Sequence, residues 1–418
     1  MDFGEELVSF EQSLGRILKE NILADRDFPP FNRVSMDGIA ISYGAFKNGR
    51  RAFNIEGIQA AGSKQLTLQN SKNCIEVMTG AVLPVNCDVV IPYEQVILKG
   101  SDATINLETL IQYKNIHSKG KDKKQGDLII KKNELISPAE IGILSTVGKS
   151  KVKVACIPKV MIISTGDELV EVDKTPEIYQ IRRSNVHTLV ALLNNFGIKS
   201  DSAHIPDNKA TLKSKISIYL NNYDVLLFSG AVSKGKFDFI PEILNELGVE
   251  KLFHKVAQRP GKPFWFGGIA TSIMSEQGVN LEEKMVSERL GQSGAERNLN
   301  DIDGSRSTVV FAFPGNPIST FVSCLKYFVS WFQKSMGLDF NNRNFAVLSE
   351  DVVFKPTMTY FLQVKLENVN GQIIAIPFTG NGSGDLASLV ETDAFIELPA
   401  NQTEFKKGTV FPCLIYRN

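Results

Sequence analysis

At 418 residues the chain exceeds what one ordinary hydrophobic core covers, and it should divide into about three or four modules. Its 46 Lys and Arg balance 46 Asp and Glu, so no general basic field exists to hold nucleic acid or an anionic membrane, and any anion must be gripped locally. Five widely spaced cysteines, Cys74, Cys87, Cys156, Cys324 and Cys413, form no CxxC pair. With no apolar leader and no run as long as a membrane span, they read as reduced core thiols of a cytoplasmic protein.

Residues 1–27 read as a helical entry, with Leu7, Phe10, Leu14, Ile17 and Leu18 spaced for one apolar face before the break at Pro29 and Pro30. The diproline forces an extended approach to Ser35-Met36-Asp37-Gly38, a turn that leaves the Asp37 carboxylate at its tip. Residues 28–128 then alternate in short runs, such as those at 72–77 and 89–91, and predict a small β-rich domain that carries Thr79 in Met78-Thr79-Gly80. After Gly126 come a strand at 128–130 and a helix begun by Ser137 and Pro138, so that 129–157 should return onto 1–27 as one segmented N-terminal domain.

From 158 to 337 the pattern is βα: apolar strands at 160–163 and 224–228, and helices at 185–196, 239–247 and 318–336. This predicts a doubly wound parallel sheet. The tract 268–307 is polar, charged and poor in aliphatics, and reads as a surface insertion. Short alternating strands at 361–366 and 373–376 make 338–418 a C-terminal β domain. The fold class is thus multidomain α/β and β, with a central doubly wound α/β domain flanked by smaller β-rich ones.

In such a sheet ligands lie beyond the carboxyl ends of the strands, where backbone N–H groups and helix N-termini point outward. Three loops fall there. Ser164-Thr165-Gly166-Asp167-Glu168 brings a hydroxyl, a glycine and two carboxylates; the loop from Ser229 and Gly230 through Ser233 and Gly235 to Asp238 adds lysines; Pro314-Gly315-Asn316-Pro317 precedes the helix carrying Ser319. Any one of them is also an ordinary turn, but together they can cradle a phosphate-bearing ligand. Further on, Pro260-Gly261 bends the chain so that cations from Lys255, Arg259 and Lys262 can converge on an oxyanion, although a solvated basic loop is an equal reading for Lys255. Asp122, Glu168, Asp207 and Asp238 form an acidic set whose hard oxygens, Glu168, Asp207 and Asp238 foremost, suit Mg²⁺ rather than zinc. The four histidines lack metal-ligand spacing, and no serine elbow signals a covalent triad.

Taken in order, Ser35-Met-Asp-Gly, Thr79-Gly-Ala, Ser164-Thr-Gly-Asp-Glu-Leu, Ser229-Gly-Ala-Val-Ser-Lys-Gly, Pro260-Gly-Lys-Pro and Pro314-Gly-Asn-Pro-Ile-Ser resemble the motifs of the molybdopterin molybdenumtransferase family, the MoeA and gephyrin E-domain group. The motifs span nearly the whole chain. The resemblance implies an elongated, four-domain cytoplasmic homodimer whose α/β domain binds molybdopterin. It further implies that adenylylated molybdopterin and molybdate are converted, with Mg²⁺, to molybdenum cofactor and AMP, with a molybdopterin adenylyltransferase as partner. By the same resemblance Asp37, Thr79, Asp122, Glu168, Asp207, Asp238, Lys255, Arg259 and Ser383 fall on positions that line the family's active-site cleft.

The chain departs from the family pattern at several positions. Arg259 stands for the usual lysine, His117 and Gln363 stand where arginines are usual, Ala231 replaces a glycine and Ile39 an aromatic, and the N-terminal helix looks shorter than usual, as in a truncated or divergent member. The missing arginines keep open a molybdopterin-binding scaffold without turnover. Glycine-rich loops alone also fit a nucleotide-binding α/β enzyme with another substrate.

Overall fold

A computed structural model of the chain describes residues 1–230, 239–269, 308–338 and 344–417. It divides into two compact units, Leu7–Val154 and Met1–Glu6 with Ala155–Asn418. Nearly all of the polar tract expected at 268–307 lies outside the described residues; Gly268 and Ile269 end a strand. All five cysteines are unpaired, four of them buried and Cys156 half-buried. No helix among the described residues is long and apolar enough to cross a membrane.

In the Leu7–Val154 unit, the expected N-terminal helix is not formed. Residues Glu5–Ser9 are a strand, Phe10–Ser13 a 3-10 turn and Ile22–Leu23 a second strand paired with Leu128–Ile130. The chain reverses at Gly15, whose φ of +76° suits glycine. Ile17 and Leu18 then bridge Leu135 and Val154, while Leu7 and Leu14 remain exposed. The helical spacing was therefore two strand-like segments, with only Ile17 and Leu18 of the five fully inside. Leu18, Ile22, Ile130, Leu144, Val152 and Val154 share one small core. Its helix Pro138–Thr146 is held by a full capping box: the Ser137 hydroxyl accepts from Ala139 N–H at 3.2 Å, and Glu140 accepts from Ser137 N–H at 2.8 Å.

The rest of this unit is built on a six-stranded sheet in the order Val89–Pro92, Gly38–Ile41, Cys74–Val77, Ala52–Gln59, Asp102–Ile105, Val96–Lys99. Gly38 opens the strand next to the edge. A Cβ there would lie 1.9 Å from the Ile91 carbonyl oxygen, so only glycine lets the two strands close on each other.

In the larger unit, a six-stranded sheet runs Ser200–Ile205, Val160–Thr165, Val225–Ser229, Val309–Phe313, Trp265–Ile269, Val249–His254. The first four strands are parallel, as the apolar runs at 160–163 and 224–228 predict, although the polar edge strand Ser200–Ile205 was not anticipated; the last two are antiparallel additions, so the sheet is mixed rather than wholly parallel. It is wound on both faces. Helices Lys209–Asn222 and Ile240–Glu246 bury Leu212, Ile216, Leu220, Ile240 and Ile243 against Met161, Ile163, Leu226 and Phe228. On the opposite face Phe311 meets the rings of Phe328 and Trp331, 5.6 and 5.4 Å away, from the helical run Pro317–Met336, whose middle turn Cys324–Val329 is a π-helix. Helix Ser184–Asn194 packs beside that run. The Lys209 helix was not anticipated from the sequence, though Asn208 caps it by accepting from Thr211 N–H at 3.0 Å.

The C-terminal strands close into a barrel. The long strand Thr359–Val369 pairs through its first half with Ala394–Leu398 and through its second half with Gln372–Pro377. Asn344–Leu348 and Val410–Ile415 complete the ring. The short strand Gln258–Arg259 adds to the start of Thr359–Val369, stitching the barrel to the α/β layer.

Replacing Gly38 by alanine should force the Gly38–Ile41 and Val89–Pro92 strands apart and cost about 3 kcal/mol. Denaturant unfolding followed by tyrosine and tryptophan emission and by far-UV circular dichroism checks this against the unmodified chain.

Candidate active site

A cavity of about 1130 Å³ opens over the carboxyl ends of the parallel strands of the larger unit. Three loops line it, as the sequence predicts. After Val160–Thr165, Gly166 has φ of +129°, and a Cβ there would lie 2.5 Å from a Glu168 carboxylate oxygen; glycine lets that carboxylate fold back over the backbone. After Val225–Ser229, Gly230 donates its N–H to the Phe313 carbonyl at 3.0 Å, tying the second loop to the third. Ser233, Gly235 and Asp238, farther along the second loop, lie outside the described residues.

The third loop, Pro314-Gly315-Asn316-Pro317, is fixed from three directions. The Thr320 hydroxyl donates to the carbonyls of Pro314 and Asn316. Asn185, at the start of helix Ser184–Asn194, donates to the Gly315 carbonyl at 2.7 Å. Asn316 donates to the Ser383 hydroxyl at 2.8 Å, and Ile318 N–H to the Ser383 carbonyl at 3.1 Å. Ser383 belongs to a barrel loop, so the barrel contributes to the cavity lining, as does Ser319, buried at the start of the Pro317 helix.

Four cations line the same space: Arg259 and Lys262, as expected, and Arg182 and Arg183, which the sequence reading passed over. Arg182 anchors its Nε on the Lys174 carbonyl at 3.1 Å. Arg183 is buried and pairs with Glu171 at 2.6 Å, while its Nε has no hydrogen-bond partner. Beside it His204 stands 3.2 Å from the Ser164 hydroxyl; burial, and then the Arg183 guanidinium, holds the imidazole below its ordinary pKa and favours the neutral ring. Lys255 does not line the cavity. Gln363 does, but its amide is engaged inside the barrel, donating to Ser388 at 2.9 Å and to Thr392 at 3.3 Å.

A second constellation forms in the Leu7–Val154 unit. Asp37 accepts two hydrogen bonds from Thr79, from the backbone N–H at 2.6 Å and from the hydroxyl at 2.7 Å. These, in that order, hold its carboxyl below the ordinary value of 3.8. His117 Nε2 and Asp122 lie 2.8 Å apart. Strand Arg33–Val34 joins the two pairs: Val34 exchanges backbone hydrogen bonds with Gly80 and Ala81 on one side and pairs with Ile116 on the other.

The whole chain matches known proteins. Residues 2–148 match the family described as "MoeA N-terminal region (domain I and II)", 161–333 "Probable molybdopterin binding domain", and 346–416 "MoeA C-terminal region (domain IV)". A molybdopterin molybdenumtransferase of Synechocystis sp. is 37% identical over 98% of this chain and 95% of its own length. The chain belongs to the molybdopterin molybdenumtransferase family. A member from Staphylococcus epidermidis is 30% identical over 98% of the chain and 90% of its own. A solved molybdopterin biosynthesis moeA protein from Pyrococcus horikosii superposes with a TM-score of 0.77 and 27% identity, covering 100% of this chain and 96% of that one. Membership makes the chain a transferase of molybdenum cofactor biosynthesis.

The fit of a hard cation turns on the cavity's carboxylates. Glu168 and Asp207 both line it, and the backbone N–H of Asp207 is held by the Asp167 carboxylate at 3.1 Å. Among the described residues no group of three or more His, Cys, Asp or Glu side chains converges into a complete metal cage. Two carboxylates in a cavity lined by glycine-bearing loops nevertheless fit Mg²⁺, which is commonly held by one or two carboxylates together with substrate phosphate.

Arg182, Arg183 and Asn185 escaped the sequence reading because they stand where helix Ser184–Asn194 begins, and only the apolar face of that helix was read. Two adjacent arginines just before a helix were the signal available. In the other unit, Thr79→Val should remove one of the two donors to Asp37 and raise its carboxyl pKa toward 3.8. A depressed carboxylate pKa means that the favourable contribution is complete above the unfolded value and fades as pH falls through the folded one. Carbon-detected NMR titration of Asp37 below pH 4 reads the shift, and an unchanged midpoint would show that the hydroxyl contributes nothing.

Proposed function

We propose that the chain inserts molybdenum from molybdate into adenylylated molybdopterin with Mg²⁺-dependent release of AMP, acting as a cytoplasmic homodimer and drawing its substrate from a molybdopterin adenylyltransferase. The observation that carries this reading is the meeting, in one cavity, of three glycine-bearing loops, the cations Arg259 and Lys262, and the carboxylates Glu168 and Asp207. Backbone N–H groups of the Gly166 and Gly315 loops take the phosphates, and Ser319 and Ser383 add hydroxyls.

Arg259 and Lys262 hold molybdate or steady the phosphoanhydride as its P–O bond breaks, so that cleavage is coupled to ligand exchange at molybdenum. Glu168 and Asp207 would hold Mg²⁺, which supplies charge neutralisation to the phosphates. His204, kept neutral, adds no competing positive charge beside Ser164. Asp37 and Asp122 serve as further carboxylates of the reaction, and Thr79 keeps Asp37 ionised. By the motif resemblance, Ser233, Gly235 and Asp238 also act on the substrate.

One observation favours a second reading. Gln363 brings a neutral amide to the cavity wall where the family usually has an arginine, and binding of molybdopterin without turnover would follow if the remaining cations cannot hold molybdate. Incubation with adenylylated molybdopterin, molybdate and Mg²⁺ separates the two. The enzyme reading expects AMP, with release slowed roughly a hundredfold in Arg259→Ala and in Glu168→Ala. Pterin binding with no AMP above an enzyme-free control would select the scaffold.

A further inference from the structure

The loop that carries Arg259 and Lys262 is closed at its base, where Val256 N–H donates to the Lys262 carbonyl at 3.0 Å, but its tip has little of its own to hold it. Pro260 donates no backbone hydrogen bond, Gly261 sits at φ of +93°, and neither cation has an ion-pair partner among the described residues. What fixes it comes from below. Gln258 is 2% exposed, and its side-chain amide donates to the Pro260 carbonyl at 2.9 Å and to the Ser323 hydroxyl at 3.3 Å. Its amide oxygen accepts from the Tyr327 hydroxyl. Ser323 and Tyr327 both lie on the long helical run Pro317–Met336, which starts at the phosphate loop. The Tyr327 ring is stacked on Phe264 at 4.6 Å, and burial pushes its hydroxyl up to about 12, so it stays a donor. Gly261 closes onto the same pair: a Cβ there would lie 2.7 Å from the Gln258 amide nitrogen and 2.8 Å from the Ser323 hydroxyl.

We propose that Gln258 is a positioning residue, a buried clamp that locks the Arg259-Pro260-Gly261-Lys262 loop to the Pro317–Met336 helix and so sets where the two cations meet the oxyanion. Both faces of the amide are used, one on the loop and one on the helix, so no rotation of it frees the loop without stranding a buried polar group. The backbone pairing of Gln258–Arg259 with Thr359–Tyr360 carries the same position into the barrel wall. The inference rests on the reading of this cavity as the oxyanion site, and its consequence is specific: loosening the clamp moves charges by fractions of an ångström without removing them.

Gln258→Met keeps length and apolar volume but deletes the amide; Tyr327→Phe deletes one donor. Two readouts are taken on the full chain, amide hydrogen exchange of the 256–263 segment and the dependence of AMP release on molybdate. In Gln258→Met, exchange in that segment should quicken roughly tenfold while the sheet stays protected. The KM for molybdate should rise roughly tenfold with kcat changed by less than about threefold, and Tyr327→Phe should shift both in the same direction by less. A purely structural role would lower kcat with the folded fraction and leave KM alone. A folded Gln258→Met with unchanged exchange at 256–263 and unchanged KM overturns the proposal. If Gln258→Met does not fold, Tyr327→Phe decides by the same two readouts. Should the unmodified chain release no AMP, the functional reading falls while the exchange measurement still decides the clamp.

Discussion

Parallel register is the constraint on which the larger unit depends. His204, Ser164, Ser229 and Phe313 stand opposite one another across four hydrogen-bonded strands, so the chain leaves the sheet at one height in each case. Thr165 and Ile205 pair one residue farther, and past them the chain turns into the loops that line the cavity, where Gly230 N–H is tied to the Phe313 carbonyl. Ile163, Phe228 and Ala312, just behind the row, are fully buried in the core formed with helices Lys209–Asn222 and Ile240–Glu246, so a slip of register would undo that packing. A rigid rim and a polar cavity thus have one cause.

The barrel supplies what the sheet lacks. Asn316 and Ile318 reach Ser383, and strand Gln258–Arg259 extends the barrel strand Thr359–Val369, so the cavity has walls from two layers joined by backbone as well as side-chain bonds. Arg259 rests near an aromatic ring rather than on a carboxylate, its guanidinium 6.0 Å from the centre of Phe354. Such cations keep their hydrogen-bonding capacity for a ligand, whereas Arg183 has already spent part of its fork on Glu171.

Much of this was legible in the sequence. The wholly apolar runs at 160–163 and 225–228 declared buried parallel strands, Ser137-Pro138 with Glu140 declared a helix start, and the glycine loops fell at the strand ends where a ligand site belongs. Other features were hidden for physical reasons. Leu7, Phe10, Leu14, Ile17 and Leu18 have helical spacing, but long-range pairing of Ile17 and Leu18 with Leu135 and Val154 outweighs that local pattern. Helix Lys209–Asn222 has a stripe of only Leu212, Ile216 and Leu220 in a polar surround. The antiparallel strands Val249–His254 and Trp265–Ile269 carry a weak signal, because the first mixes Glu250 and Lys251 with apolar residues and the second contains Gly267 and Gly268. The Gln258 network joins residues 65 and 69 positions apart, a distance over which spacing carries no signal.

The proposed function requires a phosphorylated pterin on the rim of the parallel strands, held by backbone amides and by the Arg259 and Lys262 loop. Amide hydrogen exchange of the full chain with and without adenylylated molybdopterin tests it directly. The account predicts slowed exchange in 164–169, 229–230, 259–263 and 314–319 together. Ligand binding that leaves all four segments unprotected would contradict it.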